Sequence, residues 1–162
     1  MTRVRTVVSG LEVLSGPARR PGPKHRALDV FIGRWINQGR TTGPDTPSVD
    51  IVTSDVYEWA PGGFFVLHAA YGRIGDVDVG GIEVIGYDPE RRAYRSEFFD
   101  SHGNATTSEL IVHDGVWTWC RHGTRTTVTF SDDSRTQSAR HERTRDGATW
   151  ESSMEVTLRR VG

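Results

Sequence analysis

From Phe31 to Arg160 the chain meets a turn signal every dozen residues or so, and no stretch between two of them is long enough for a crossover helix. That punctuation constrains the fold more than any motif. Ten runs are rich in Val, Ile, Thr, Trp, Tyr and Phe, which suit a pleated, half-buried surface. They cover residues 31–41, 49–60, 64–72, 76–87, 92–100, 105–113, 116–122, 124–131, 135–144 and 148–160. Pro61-Gly62-Gly63, Asp88-Pro89, His102-Gly103-Asn104, Asp114-Gly115, Gly123, Asp132-Asp133 and Arg145-Asp146-Gly147 separate them. Asp-Gly between two strand-like runs is a strong hairpin signal, because both residues tolerate the positive φ of a tight turn. Without crossovers a parallel sheet is excluded. The sequence therefore predicts an all-β protein, an antiparallel up-and-down β-barrel of about ten strands, because closure hides both sheet edges. A two-sheet sandwich is the competing arrangement.

The first 26 residues differ from the rest. Arg3, Arg5, Arg19, Arg20, Lys24 and Arg26 face a single acid, Glu12, and Pro17, Pro21 and Pro23 bar a long helix or a central strand. Residues 1–26 are read as a basic tail or linker and 27–162 as the barrel domain, with a short helix expected at 25–31, where Leu28, Phe31 and Ile32 have helical spacing.

Twenty Lys and Arg balance twenty-one Asp and Glu, which argues against a uniformly basic nucleic-acid binder. No eighteen-residue apolar run crosses a membrane. The single Cys120 excludes an internal disulfide or thiolate cluster and fits a reducing compartment, so a cytoplasmic location is expected. The six histidines never form a compact ligand motif, although His113 and His122 flank one hairpin; no metal is expected. A homodimer is a further expectation, from an aromatic content large for one small barrel.

Gly33-Arg34-Trp35 on the first run, Gly86-Tyr87-Asp88, Tyr94, Phe98, Asp100 and Gly103 in the middle, and the closing Met154-Glu155-Val156-Thr157-Leu158-Arg159-Arg160 form a recognisable string. Over residues 26–160 the chain resembles the DUF1579 family of bacterial proteins of unknown function, lipocalin-like members of the calycin-type barrels. Family members often carry Trp where this chain has Phe98. The resemblance implies that Trp35 packs near an arginine of the last strand, Arg159 or Arg160, and closes one end. The more distantly similar nitrobindins bind haem through a histidine near the C-terminus; His141 is the counterpart by position, in surroundings that match poorly.

A barrel of more than eight strands has room inside for a ligand, and alternation sorts the candidate lining. Ile51, Asp55, Tyr57 and Trp59 share one face of their run, as do Phe64, Val66, His68 and Ala70 of the next. Glu83 is in phase with Ile85 and Tyr87, and Arg121 with Trp117 and Trp119, whereas Cys120 lies on the opposite face. With aromatic faces inward, Tyr57, His68, Glu83, Tyr87, Phe98, Trp119 and Arg121 form the expected ligand-binding set. An apolar pocket holding a few polar groups is the usual form of a small-molecule site. Alternatives stand beside this: Glu83 and Arg121 as a structural ion pair, Asp55 facing solvent, His68 as a satisfied core histidine.

Three functions follow. The first is binding of a small, hydrophobic or amphipathic molecule in the barrel. The second is a cyclase or isomerase using the same cavity, with His68, Asp55 or Glu83 as the acid–base group. The third is a structural or interaction module whose interior is filled by its own side chains.

Overall fold

The computed structural model describes residues 19–162, together with the backbone pairing of β1 (Val7–Val8) and β2 (Leu11–Glu12). The expected basic tail otherwise falls outside the described residues up to position 18. Ten antiparallel strands follow: β3 (Gly33–Thr41), β4 (Asp50–Trp59), β5 (Phe65–Ile74), β6 (Val77–Asp88), β7 (Ala93–Asp100), β8 (Ala105–His113), β9 (Val116–Arg121), β10 (Thr124–Phe130), β11 (Thr136–Arg143) and β12 (Glu151–Val161). Each pairs with its chain neighbours, and β12 returns to pair with β3, so the sheet closes into a barrel. Closure decides against a sandwich. Asp114 and Gly115 both have positive φ, 49° and 77°, as the turn between β8 and β9 requires.

Because every connection is a hairpin, the turns collect at two ends. One end holds the 60–64, 89–92, 114–115 and 131–135 turns and is plugged by the segment that precedes β3. The plug starts at the short helix α1 (Pro23–Arg26), two residues before the expected His25, with Pro23 at the first turn, where its missing N–H costs nothing. A 3-10 turn over Ala27–Val30 follows. Leu28 and Phe31 are completely buried. Phe31 is thus not a strand residue but the tip of the plug, its ring 5.2–5.7 Å from those of Tyr57, Trp117, Trp119 and Phe130.

Polar contacts lock the plug. The Tyr94 hydroxyl donates to the Lys24 carbonyl at 2.7 Å, the Trp59 indole N–H to Asp29 at 2.9 Å, and the Trp35 indole N–H to the Phe31 carbonyl at 2.8 Å. Arg160 rather than Arg159 closes this end. Its guanidinium stacks 4.3 Å above the Trp35 ring and donates to the carbonyls of Val30 and Ile32. Gly33 makes the sharp entry into β3 at φ 136°, and a Cβ there would sit 2.8 Å from the Arg160 guanidinium. Below the plug, Val66, Ile85, Leu110, Val128 and Leu158 complete the core. On the outer wall Phe65, Tyr71, Ile82 and Phe99 remain exposed, so not every aromatic ring is taken into the core. No helix among the described residues is long and apolar enough to cross a membrane.

Candidate functional site

The plug does not fill the barrel. Toward the opposite end, ringed by the 42–49, 75–76, 101–104, 122–123 and 144–150 turns, lies a cavity of about 490 Å³, within the range of small-molecule sites. Much of its wall is apolar, from Ile51, Ala70, Phe98, Val128, Ala139 and Val156. Gly81 makes room for one of these groups, since a Cβ there would lie 2.6 Å from the Phe98 ring.

Four consecutive residues of one cross-strand row carry the chemistry. Tyr57 on β4 faces His68 on β5, His68 faces Glu83 on β6, and Glu83 faces Phe98 on β7. The Tyr57 ring stacks on the imidazole at 3.9 Å and 6°, which fixes the imidazole plane. Nδ1 lies 2.9 Å from Glu83 Oε2, while Nε2 is 3.6 Å from Asp55 Oδ1. Trp119 reaches in from β9 and donates its indole N–H to the other Glu83 oxygen at 3.0 Å. All three ionisable groups are buried, Asp55 at 7%, His68 at 9% and Glu83 at 8% exposure.

Burial alone would push the His68 imidazole down. The Asp55 and Glu83 carboxylates on its two sides outweigh that and hold it up at about 9. Burial likewise opposes ionisation of Glu83, but His68, Ser96 and Trp119 together keep its carboxyl below the usual value. Tyr57 is pushed well up, by burial first and then by the Asp55 and Glu83 charges. Near neutral pH the cluster is therefore an imidazolium between carboxylates, under a neutral phenol.

Six of the seven expected lining residues, all but Tyr87, border this cavity, and Asp55, named only as an acid–base candidate, borders it too. Asp55 does not face solvent: it is in phase with Tyr57, and that face is inner. Glu83 and Arg121 do not pair. Trp119 and His68 take the Glu83 oxygens, and Arg121, exposed at the mouth, donates to Thr124 Oγ1 at 3.2 Å. Tyr87 is on the inner face but at the plugged end, 5.0 Å from the Tyr94 ring and 5.8 Å from that of His25. Cys120 lies half-buried on the outer face.

The strand alternation also held signals for Asn37, in phase with Trp35, and for Gln137, in phase with Ala139. Both line the cavity and are buried, and Asn37 Oδ1, Gln137 Nε2 and His68 Nε2 have no hydrogen-bond partner among the described residues. His141 lines it too. Burial pushes its imidazole down to about 4, so it is uncharged at neutral pH, and Nδ1 shares a 2.8 Å hydrogen bond with Thr126 Oγ1. These surroundings fit haem poorly: the His141 cavity is shared with the buried Asp55 and Glu83 carboxylates, which would face an apolar macrocycle. No group of three His, Cys, Asp or Glu able to hold a metal occurs among the described residues.

A family model described as "Protein of unknown function (DUF1579)" matches residues 20–160. No curated protein matches the chain. Among solved structures, the crystal structure of Rv2717c from M. tuberculosis aligns with a TM-score of 0.63 at 12% identity, covering 87% of this chain and 99% of that one. At that identity the likeness is one of fold. A de novo designed fluorescence-activating β-barrel aligns with a TM-score of 0.42 at 17% identity, covering 83% of this chain and 97% of the design.

Proposed function

The chain belongs to the DUF1579 family, described only as proteins of unknown function, and from the hollow part of its barrel we propose that it binds a small, partly apolar molecule there. The observation that carries this reading is a cavity of about 490 Å³ with a largely apolar wall and one buried polar cluster, in which His68 Nε2 has no hydrogen-bond partner among the described residues. Buried polar atoms in native proteins are nearly always hydrogen-bonded. A donor free on the wall of a ligand-sized space gives a polar group of a bound molecule a place to attach. The interaction-module reading needs a filled interior, and side chains fill only the plugged end. For the cyclase or isomerase reading, His68 is protonated near neutral pH, which makes it a hydrogen-bond donor or an acid rather than a base.

Native mass spectrometry of freshly purified protein, combined with titration of an environment-sensitive apolar dye, tests the proposal. The expected result is a non-covalent adduct or saturable dye binding that Ala139→Phe, which fills the cavity from β11, abolishes without lowering the melting temperature. Dye binding unchanged in Ala139→Phe would place the site elsewhere. An apo mass with no dye binding would remove the proposal.

A further inference from the structure

We infer that the buried end of the bound molecule is an uncharged hydroxyl group, an alcohol or a phenol, seated on the cavity side of His68 Nε2 and Asp55 and hydrogen-bonded to both. This rests on the reading of the cavity as a binding site and names what that site recognises. His68 Nδ1 is already committed to Glu83 at 2.9 Å, so the one donor the imidazolium still offers is Nε2–H. Asp55 Oδ1 is 3.6 Å away, too far for a hydrogen bond and near enough for an ion pair. No side chain donates a hydrogen bond to the Asp55 carboxylate among the described residues. Donor and acceptor thus stand side by side, both more than nine-tenths buried, and both on the cavity wall.

One ligand atom that both accepts and donates satisfies the pair. Hydrogen bonds of about 2.8 Å from each partner exceed half of the gap, so a single oxygen can reach both at once. A hydroxyl has the required lone pairs and the required proton. A carboxylate would accept from His68 but would bring a third negative charge beside Asp55 and Glu83. An ammonium would donate to Asp55, but it has no lone pair for the His68 N–H and would set a cation against a cation. A hydrocarbon end would leave both groups unsatisfied in a buried site. The cluster therefore selects against anionic amphiphiles such as fatty-acid carboxylates, although an apolar cavity of this size would hold their chains.

Calorimetric titration at pH 7 with a matched naphthyl series decides the question. The series is naphthalenemethanol, naphthol, naphthoate, naphthylmethylamine and methylnaphthalene. The hydroxyl compounds are expected to bind about tenfold more tightly than methylnaphthalene and than either ion, since two hydrogen bonds to charged partners replace two unmade ones. The ratio between naphthalenemethanol and naphthol then separates alcohol from phenol. In Asp55→Ala, checked by its melting curve, the ratio of hydroxyl-compound affinity to methylnaphthalene affinity should shrink to about twofold. Should that variant not fold, the wild-type series alone settles the matter. Equal affinity of naphthalenemethanol and methylnaphthalene, or tighter binding of naphthoate or the amine, overturns the hydroxyl site and leaves the binding cavity standing. Failure of every member of the series, the hydrocarbon included, removes the binding cavity and the hydroxyl site together.

Discussion

His68 should make the stability of this protein fall across the alkaline side of neutrality. Its imidazole titrates at about 9 in the folded barrel against an ordinary 6.5, because the Asp55 and Glu83 carboxylates outweigh the effect of burial. The folded state therefore holds the proton more tightly than the unfolded chain. Below about pH 6.5 both states are protonated and the full stabilisation is present. As the pH rises, the unfolded chain gives up its proton first and the advantage drains away, until it is gone above about pH 9. The shift corresponds to about 3 kcal/mol at its full extent, or roughly 6–12 °C in melting temperature for a domain of this size. Urea denaturation followed by tryptophan fluorescence, run in steps from about pH 6 to about pH 10, measures the loss. His68→Gln is the control. It should be less stable near neutrality, because it leaves carboxylates buried without a cation, and it should lack this alkaline decline, so that the two curves converge above about pH 9 and their difference isolates His68 from Cys120 and the other histidines. If wild type and variant decline in parallel, the carboxylates do not hold the proton. The imidazole proton resonance of His68, which should titrate near 9, gives an independent reading even if the variant does not fold.

Three other perturbations follow from the same geometry. Phe31→Ala should cost about 3–5 kcal/mol in chemical denaturation, because the plug loses a fully buried ring from an aromatic cage that cannot collapse around the void. His141, held neutral by burial and titrating at about 4, should make stability fall as the pH drops from about 6.5 toward 4, since the unfolded chain takes up the proton first; His141→Phe should flatten that acid limb in the same denaturation assay. Gly33→Ala should lower stability by about 1–3 kcal/mol, because φ 136° is strained for any other residue and the new methyl group meets the Arg160 guanidinium. Wild-type melting behaviour in Gly33→Ala would show that the plug junction relaxes freely.

The ten strands were readable because each hairpin carries its own turn chemistry and each inner face its own alternation. Asp114-Gly115 needed no tertiary context. Alternation also placed Asp55, Tyr57, His68, Glu83 and Trp119 on inner faces. It could not tell how far along the barrel axis each one lies, which is why Tyr87, in phase with Glu83, proved to sit under the plug. The His68–Glu83 pair had a signal that alternation does not use: a two-residue turn at Gly75-Asp76 sets the two residues directly opposite one another. The Trp119–Glu83 hydrogen bond had none, because β9 and β6 are not sheet neighbours and meet only across the interior. Phe31 fitted both the end of the expected short helix and the start of the first run, since an apolar residue just before Gly33 suits either role, and the structure gives it to the plug.

The seam between β12 and β3 governs how this chain can reach its native state. The hydrogen bond from Arg160 to the Val30 carbonyl joins residues 130 positions apart, and the Trp35–Arg160 pairing lies on the same seam. During synthesis β3 emerges early with one edge unpaired, and every later hairpin extends an open sheet with exposed backbone donors and acceptors until β12 arrives. Such long-range closure carries a large loop-closure entropy and is slow. The growing sheet is meanwhile a template for pairing with other nascent chains. Dense translation and high temperature should therefore penalise this protein through aggregation before closure rather than through weakness of the finished barrel, and chaperones that shield a free strand edge should raise its yield more than any ligand.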